Sequence, residues 1–138
     1  MNNRRFILLF AALSALIGLL HLLAVKLWLY WTLWWFDIPM HILGGLWLSA
    51  IIFFFFVKDR TFFAGVSSRL IFSFFVVTAV SIGVFWEIFE VIADATMVSK
   101  ENYAPDTLSD FLFDAVGATI FYFLVKRQLL PKEPNSRL

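Results

Sequence analysis

The sequence predicts an all-α integral membrane protein, a four-transmembrane-helix bundle with a short interfacial aromatic segment between spans one and two. Three observations predict it. Of 138 residues, 62% are hydrophobic and eighteen are phenylalanine, more apolar surface than a soluble domain of this length can bury. The apolar residues gather into four runs, each long enough to cross about 30 Å of hydrocarbon as a helix. Basic and acidic residues collect at opposite ends of those runs.

The first run, residues 6–25, follows Arg4 and Arg5 and precedes Lys26. It is too long for a signal-peptide core and has no small-x-small cleavage site behind it, so it reads as an uncleaved span. "WLYWTLWWF", Trp28 to Phe36, places five Trp or Tyr residues in nine positions, the composition of an interfacial belt. Residues 37–57, 70–93 and 107–125 form the remaining spans. The polar stretch "DATMVSKENYAPD" links the last two. The transmembrane domain thus covers 1–126, and 127–138 is a short basic tail. There is no cysteine, hence no disulfide or thiolate metal site. No internal repeat or soluble domain is visible.

Orientation follows from the bases. Arg4, Arg5, Lys58, Arg60, Arg69, Lys126, Arg127, Lys132 and Arg137 fall on one side, and only Lys26 and Lys100 on the other. The positive-inside rule predicts a multi-pass protein of the cell (inner) membrane with both termini cytoplasmic. On that topology only Asp59 and Glu133 are inside. Asp37, Glu87, Glu90, Asp94, Glu101, Asp106, Asp110 and Asp114 all lie toward the outside. Acids contribute little to orientation, so this asymmetry needs another cause.

Depth makes the cause chemical. Asp114 lies two turns beyond Asp106, roughly 12 Å along a helix. An ionised acid at a span centre costs on the order of 2.5–3.5 kcal/mol. Glu87, Glu90, Asp110 and Asp114 therefore call for protonation or a bound cation. Asp106, Asp110 and Asp114 recur every fourth residue and share a helix face; Glu87, Glu90 and Asp94 share one on the third span. Asp37 and His41 form an i, i+4 pair on the second. Gly44, Gly45 and Gly117 allow close helix approach beside them. This is the side-chain set from which metal sites in helical bundles are built. The expected ligands are Asp37, His41, Glu87, Glu90, Asp110 and Asp114, with His41 or Glu87 as catalytic base and Asp94 and Asp106 at the pocket mouth. Oxygen donors with one imidazole suit Mg²⁺ or Mn²⁺, with Ca²⁺ and Zn²⁺ as further candidates.

Plainer roles exist for several of these residues. Asp106 and Asp37 are good helix caps. Glu87 and Glu90 could form a protonated pair between helices, and Asp94 and Glu101 could simply be solvated. Lone His21 suits packing. The phenylalanine runs, including "FFFF" at Phe53 to Phe56, read as lipid-facing or core filler, and the tryptophans as interface anchors. None of these roles accounts for Asp110 and Asp114.

The ordered motifs "DIPMHILGG", "WEIFE" and "DTLSDFLFDAVGA" resemble the YjdF-like bacterial inner-membrane proteins and, more distantly, the VanZ-like family. The VanZ-like pattern has Gln where this chain has Glu90 and Asn where it has Asp114, so this chain is the more acidic. The VanZ-like likeness implies glycopeptide-antibiotic resistance of the teicoplanin type; the YjdF-like likeness implies no chemistry.

Three functions fit. The first is a metal-dependent hydrolase or transferase acting on phosphate-containing lipid headgroups, a phospholipid or a polyprenyl phosphate, at the outer face. Its weakness is the lack of an outer arginine to hold phosphate. The second is a non-catalytic binder of an envelope component or drug. The third is a cation or proton transporter, disfavoured by inner-half runs such as "IIFFFFV" that offer no polar stepping stones. Membrane lipids are expected partners, nucleic acid is not, and homo-oligomerisation is left open.

Overall fold

A computed structural model describes residues 3–57, 63, 65–93 and 103–129 of the chain. Among these, five helices follow in order: α1 (Asn3–Lys26), α2 (Leu29–Thr32), α3 (Asp37–Val57), α4 (Ser68–Ala93) and α5 (Tyr103–Leu129). Four of them are long and apolar enough to cross a membrane, with mean hydropathies of 2.6, 1.9, 2.0 and 1.6 for α1, α3, α4 and α5.

The ends of the helices follow local chemistry. Lys26 in the last turn of α1 complements the helix dipole, and Asp37 does the same in the first turn of α3. Between them Trp28 takes a left-handed conformation (φ 58°), which turns the chain into α2. The hydroxyl of Ser67 accepts a hydrogen bond from the Leu70 amide (3.4 Å), an N-cap that starts α4. In α5, Pro105 lies in the first turn, where a missing N–H leaves no helix bond unmade.

Both ends of α5 depart from the sequence expectation by a full turn. α5 starts one turn early, at Tyr103, so Asp106 lies inside the first turn and does not cap the helix. It also runs through Lys126 and Arg127 to Leu129, because these long basic side chains are good helix formers and favour a helix C-terminus. Residues 130–138, Asp94, Lys100 and Glu101 lie outside the described residues.

α3 and α5 form the central pair, and glycine makes this possible. A Cβ on Gly45 would collide with the Asp114 backbone, and one on Gly117 with the Ile42 carbonyl. Backbones can meet this closely only where side chains are missing. α4 packs chiefly on α5, and α1 rests on α3. α1 is peripheral, with 6% of its apolar window buried against 39% for α5. It meets α3 through stacked rings, Phe6 on Phe54 and Phe10 on Trp47, and through one polar link, Trp47 Nε1 donating to Ser14 Oγ at 2.7 Å.

The bundle has two unlike ends. Toward the start of α1 and the end of α5, Phe6, Phe53, Ile71, Phe75, Phe121 and Tyr122 form a dense apolar core. Phe121 sits 5.7 Å from Phe53 and 5.9 Å from Phe75, ring centre to ring centre. The four-phenylalanine run divides as helical periodicity requires: Phe53 is 7% exposed and Phe55 69%. At the opposite end the carboxylates gather.

Candidate metal centre

Helix periodicity and the glycine contact together build this site. Asp37 and His41, one turn apart at the start of α3, face α5 beside the close approach at Gly45; Gly44, expected to share that role, has room for a Cβ. Asp110 and Asp114, one turn apart on α5, face back. The four side chains meet around the imidazole. His41 Nε2 lies 3.4 Å from Asp37 Oδ2 and 3.6 Å from Asp110 Oδ1, while Nδ1 lies 3.3 Å from Asp114 Oδ1. One ligand atom each from Asp37, His41 and Asp110 can be chosen so that all three lie within 4.8 Å of one another.

Asp110 and Asp114 are both buried, at 3% exposure. Asp114 Oδ2 has no hydrogen-bond partner among the described residues and is shut off from solvent. It points at Gly83 of α4, where an added Cβ would collide with it. A buried carboxylate oxygen without a donor is costly to leave so, and it marks a place for a proton or a cation.

The expected ligands do not all converge. Glu87 is buried in the α4–α5 interface, where Thr107 Oγ1 donates to its Oε2 at 2.8 Å and the Tyr103 hydroxyl donates to its backbone carbonyl at 3.4 Å. Glu90 accepts a hydrogen bond from Trp86 Nε1 (2.8 Å). With Asp106, it lines a cavity of about 540 Å³ that also reaches Asp37, His41 and Asp114. No lysine or arginine lines that cavity among the described residues.

Sequence reasoning missed Tyr30, Gly83 and Thr107. Tyr30, assigned to an aromatic belt, lines the cavity, and its hydroxyl forms a 3.0 Å hydrogen bond with His21 Nδ1. Burial, then the nearby charges of Asp37 and Glu90, push its phenol up to about 12. The spacing of His21 and Tyr30 across the turn was the available signal. A lone glycine such as Gly83 carries none.

A family described as "Predicted membrane protein (DUF2238)" matches residues 2–130. The chain belongs to the DUF2238 family. This is the YjdF family, so at that level the resemblance carried by the three acidic motifs holds. The VanZ-like likeness rests on those motifs alone. No curated protein and no solved structure matches the chain. Family membership thus agrees with the four membrane-crossing helices and assigns no chemistry.

Proposed function

We propose that this DUF2238 protein holds a divalent cation, Mg²⁺ or Mn²⁺, at the outer end of its bundle and uses it to hydrolyse or transfer a phosphate-containing lipid headgroup. The observation that carries the reading is the grouping of Asp37, His41 and Asp110 within 4.8 Å. An ion about 2.0–2.6 Å from each oxygen or nitrogen donor separates its ligands by no more than about 4–5 Å.

In this reading His41 Nε2 joins Asp37 and Asp110 as ligands. Asp114 accepts the Nδ1–H hydrogen bond and so fixes the tautomer, as carboxylates behind metal-bound histidines do. A cation held there would supply Lewis-acid chemistry to a phosphoryl group, the charge that an outer arginine would otherwise provide. Glu90, on the cavity wall, would accept a proton from the attacking water as its oxygen bonds to phosphorus, and return that proton to the lipid alcohol oxygen as the ester P–O bond breaks. Glu87, held by Thr107, keeps α4 in place against α5. The orientation is that of the positive-inside rule, with the site at the outer face of the inner membrane.

A histidinium among three aspartates would make the same contacts and favours the binding or transport alternatives. Against a conduit stands the aromatic core beneath the cluster. The deciding experiment is metal content of the purified protein, together with Mn²⁺-dependent hydrolysis of phosphatidic acid, for wild type and Asp110→Asn. One tightly held ion and activity in the wild type, both lost in the variant, support the reading. A metal-free wild type that Mn²⁺ neither stabilises nor activates ends it.

A further inference from the structure

The cavity changes character along its length. At its polar end it is lined by Asp37, His41 and Glu90; farther in, by Ile17 of α1, Leu48 of α3 and Ile82 of α4. Leu48 lies three turns beyond Asp37, about 16 Å along α3 at 1.5 Å per residue. That reaches roughly the middle of a hydrocarbon layer about 30 Å thick. A site serving only an ion or a water-soluble ligand has no use for an apolar floor at that depth.

The apolar end of the cavity lies between α1 and α4. α1 rests on α3 while α4 rests chiefly on α5, so Ile17 and Ile82 bound a slot that lies over α3. Ile82 remains 39% exposed and Trp86 47% although both line the cavity. That exposed surface is shared between the cavity and the lipid around the bundle. Gly44 and Gly83 line the passage between the polar and apolar parts. A Cβ on Gly44 would meet only Asp114 Oδ1, at an ordinary 3.9 Å, so packing does not demand glycine there. Its missing side chain keeps the passage wide.

We propose that the Ile17–Leu48–Ile82 slot holds the hydrocarbon chain of a phosphate-bearing lipid that enters sideways from the bilayer, its head resting at the carboxylate–histidine cluster. The assignment of the head rests on the cation reading above; that of the chain rests on the slot. The two parts belong to one cavity of about 540 Å³, the size of sites that enclose small amphiphiles. Chain and head therefore select together: a free phosphate lacks the chain, and a neutral lipid lacks the head.

The test uses the full-length protein in phosphatidylcholine nanodiscs, labelled with a dodecyl phosphate that carries a mid-chain diazirine. Cross-linked peptides are located by mass spectrometry, and bound metal is measured on the same samples. The expected result is labelling at Ile17, Leu48 or Ile82, suppressed by excess unlabelled dodecyl phosphate. Labelling of lipid-facing positions such as Leu8, Val77 and Phe123 should resist competition. Ile82→Trp and, separately, Leu48→Trp should lose most of the competed labelling while keeping the metal content of the wild type, which also shows that they fold. Competition by phosphatidic acid points to an acyl chain and by farnesyl phosphate to an isoprenoid; failure of both overturns the proposal. So does labelling spread evenly around the bundle. Slot labelling in a protein that binds no metal would keep the slot and end the cation reading; metal without slot labelling would do the reverse.

Discussion

The two ends of this bundle are made by the same helices and solve opposite problems. At the aromatic end Phe53, Phe75, Phe121 and Tyr122 fill the space between α3, α4 and α5, and every ring has an apolar neighbour. At the acidic end the same helices leave a cavity of about 540 Å³ and crowd three carboxylates around one imidazole. Close packing holds the first end together, whereas the second gives up packing and buries carboxylates, an arrangement that stability alone would not select. The comparison implies that stability and ligand binding should be separable by mutation, and substitutions at each end can break or sharpen that claim.

The largest effect is expected at the aromatic end. Phe75 is fully buried, and Phe75→Ala should destabilise by about 3–5 kcal/mol through lost contacts and a cavity. Thermal unfolding in nanodiscs should show a large drop, while the metal affinity of the still-folded fraction stays near wild type. A matching loss of affinity would mean that the ends are coupled. Next comes Gly45→Ala, at the point where the ends join. Its Cβ would collide with the Asp114 backbone and force α3 from α5, at about 1–3 kcal/mol. Because Asp114 is also the partner of His41, this substitution alone should lower stability and metal affinity together, in unfolding and metal titration on the same preparation.

Asp114→Asn belongs to the acidic end only. Carboxylates behind a metal-bound histidine are worth about 10–100-fold in affinity, and a loss of that size is expected by metal titration. Unfolding of the metal-free protein should be unchanged or shift upward, since a buried oxygen with no hydrogen-bond partner among the described residues has been replaced. A destabilised metal-free variant would show that Asp114 is structural.

How much of this could be read from the chain differs between the ends. Hydropathy located four spans because apolar length is a local property, and helix periodicity paired Asp37 with His41 and Asp110 with Asp114. What it could not give was the rotation of each helix about its axis, which depends on contacts between helices. Glu87 and Glu90 lie three residues apart, about 60° around the helix, and this is enough to send Glu87 to Thr107 and Glu90 to the cavity. Gly83 owes its role to a single oxygen of a distant residue, and Tyr30 to a turn set by the conformation of Trp28. The aromatic end was legible as apolar but not as core: nothing in "FFFF" distinguishes Phe53 from Phe55 until α5 is in place.

The smallest and most discriminating prediction removes one hydroxyl from each end. Tyr122 donates from its phenol to the Ser68 carbonyl at 3.1 Å, joining α5 to the start of α4. Tyr122→Phe should cost about 0.5–1.5 kcal/mol in unfolding and leave metal binding untouched. Tyr30→Phe removes the partner of His21 at the cavity, where no dense packing depends on it, so its stability change should be the smaller at neutral pH. Its signature is a titration. The phenol of Tyr30 is held up at about 12 in the folded protein against 10.0 ordinarily, so its contribution to stability is complete below about pH 10 and is lost as pH rises toward 12. Ultraviolet titration should therefore show a late ionisation near pH 12 that Tyr30→Phe removes and Asp37→Asn brings to lower pH, since Asp37 is one of the charges holding it up. If Asp37→Asn left that ionisation where it was, the carboxylate would not face the hydroxyl, and Tyr30 would return to being one more aromatic of the membrane interface.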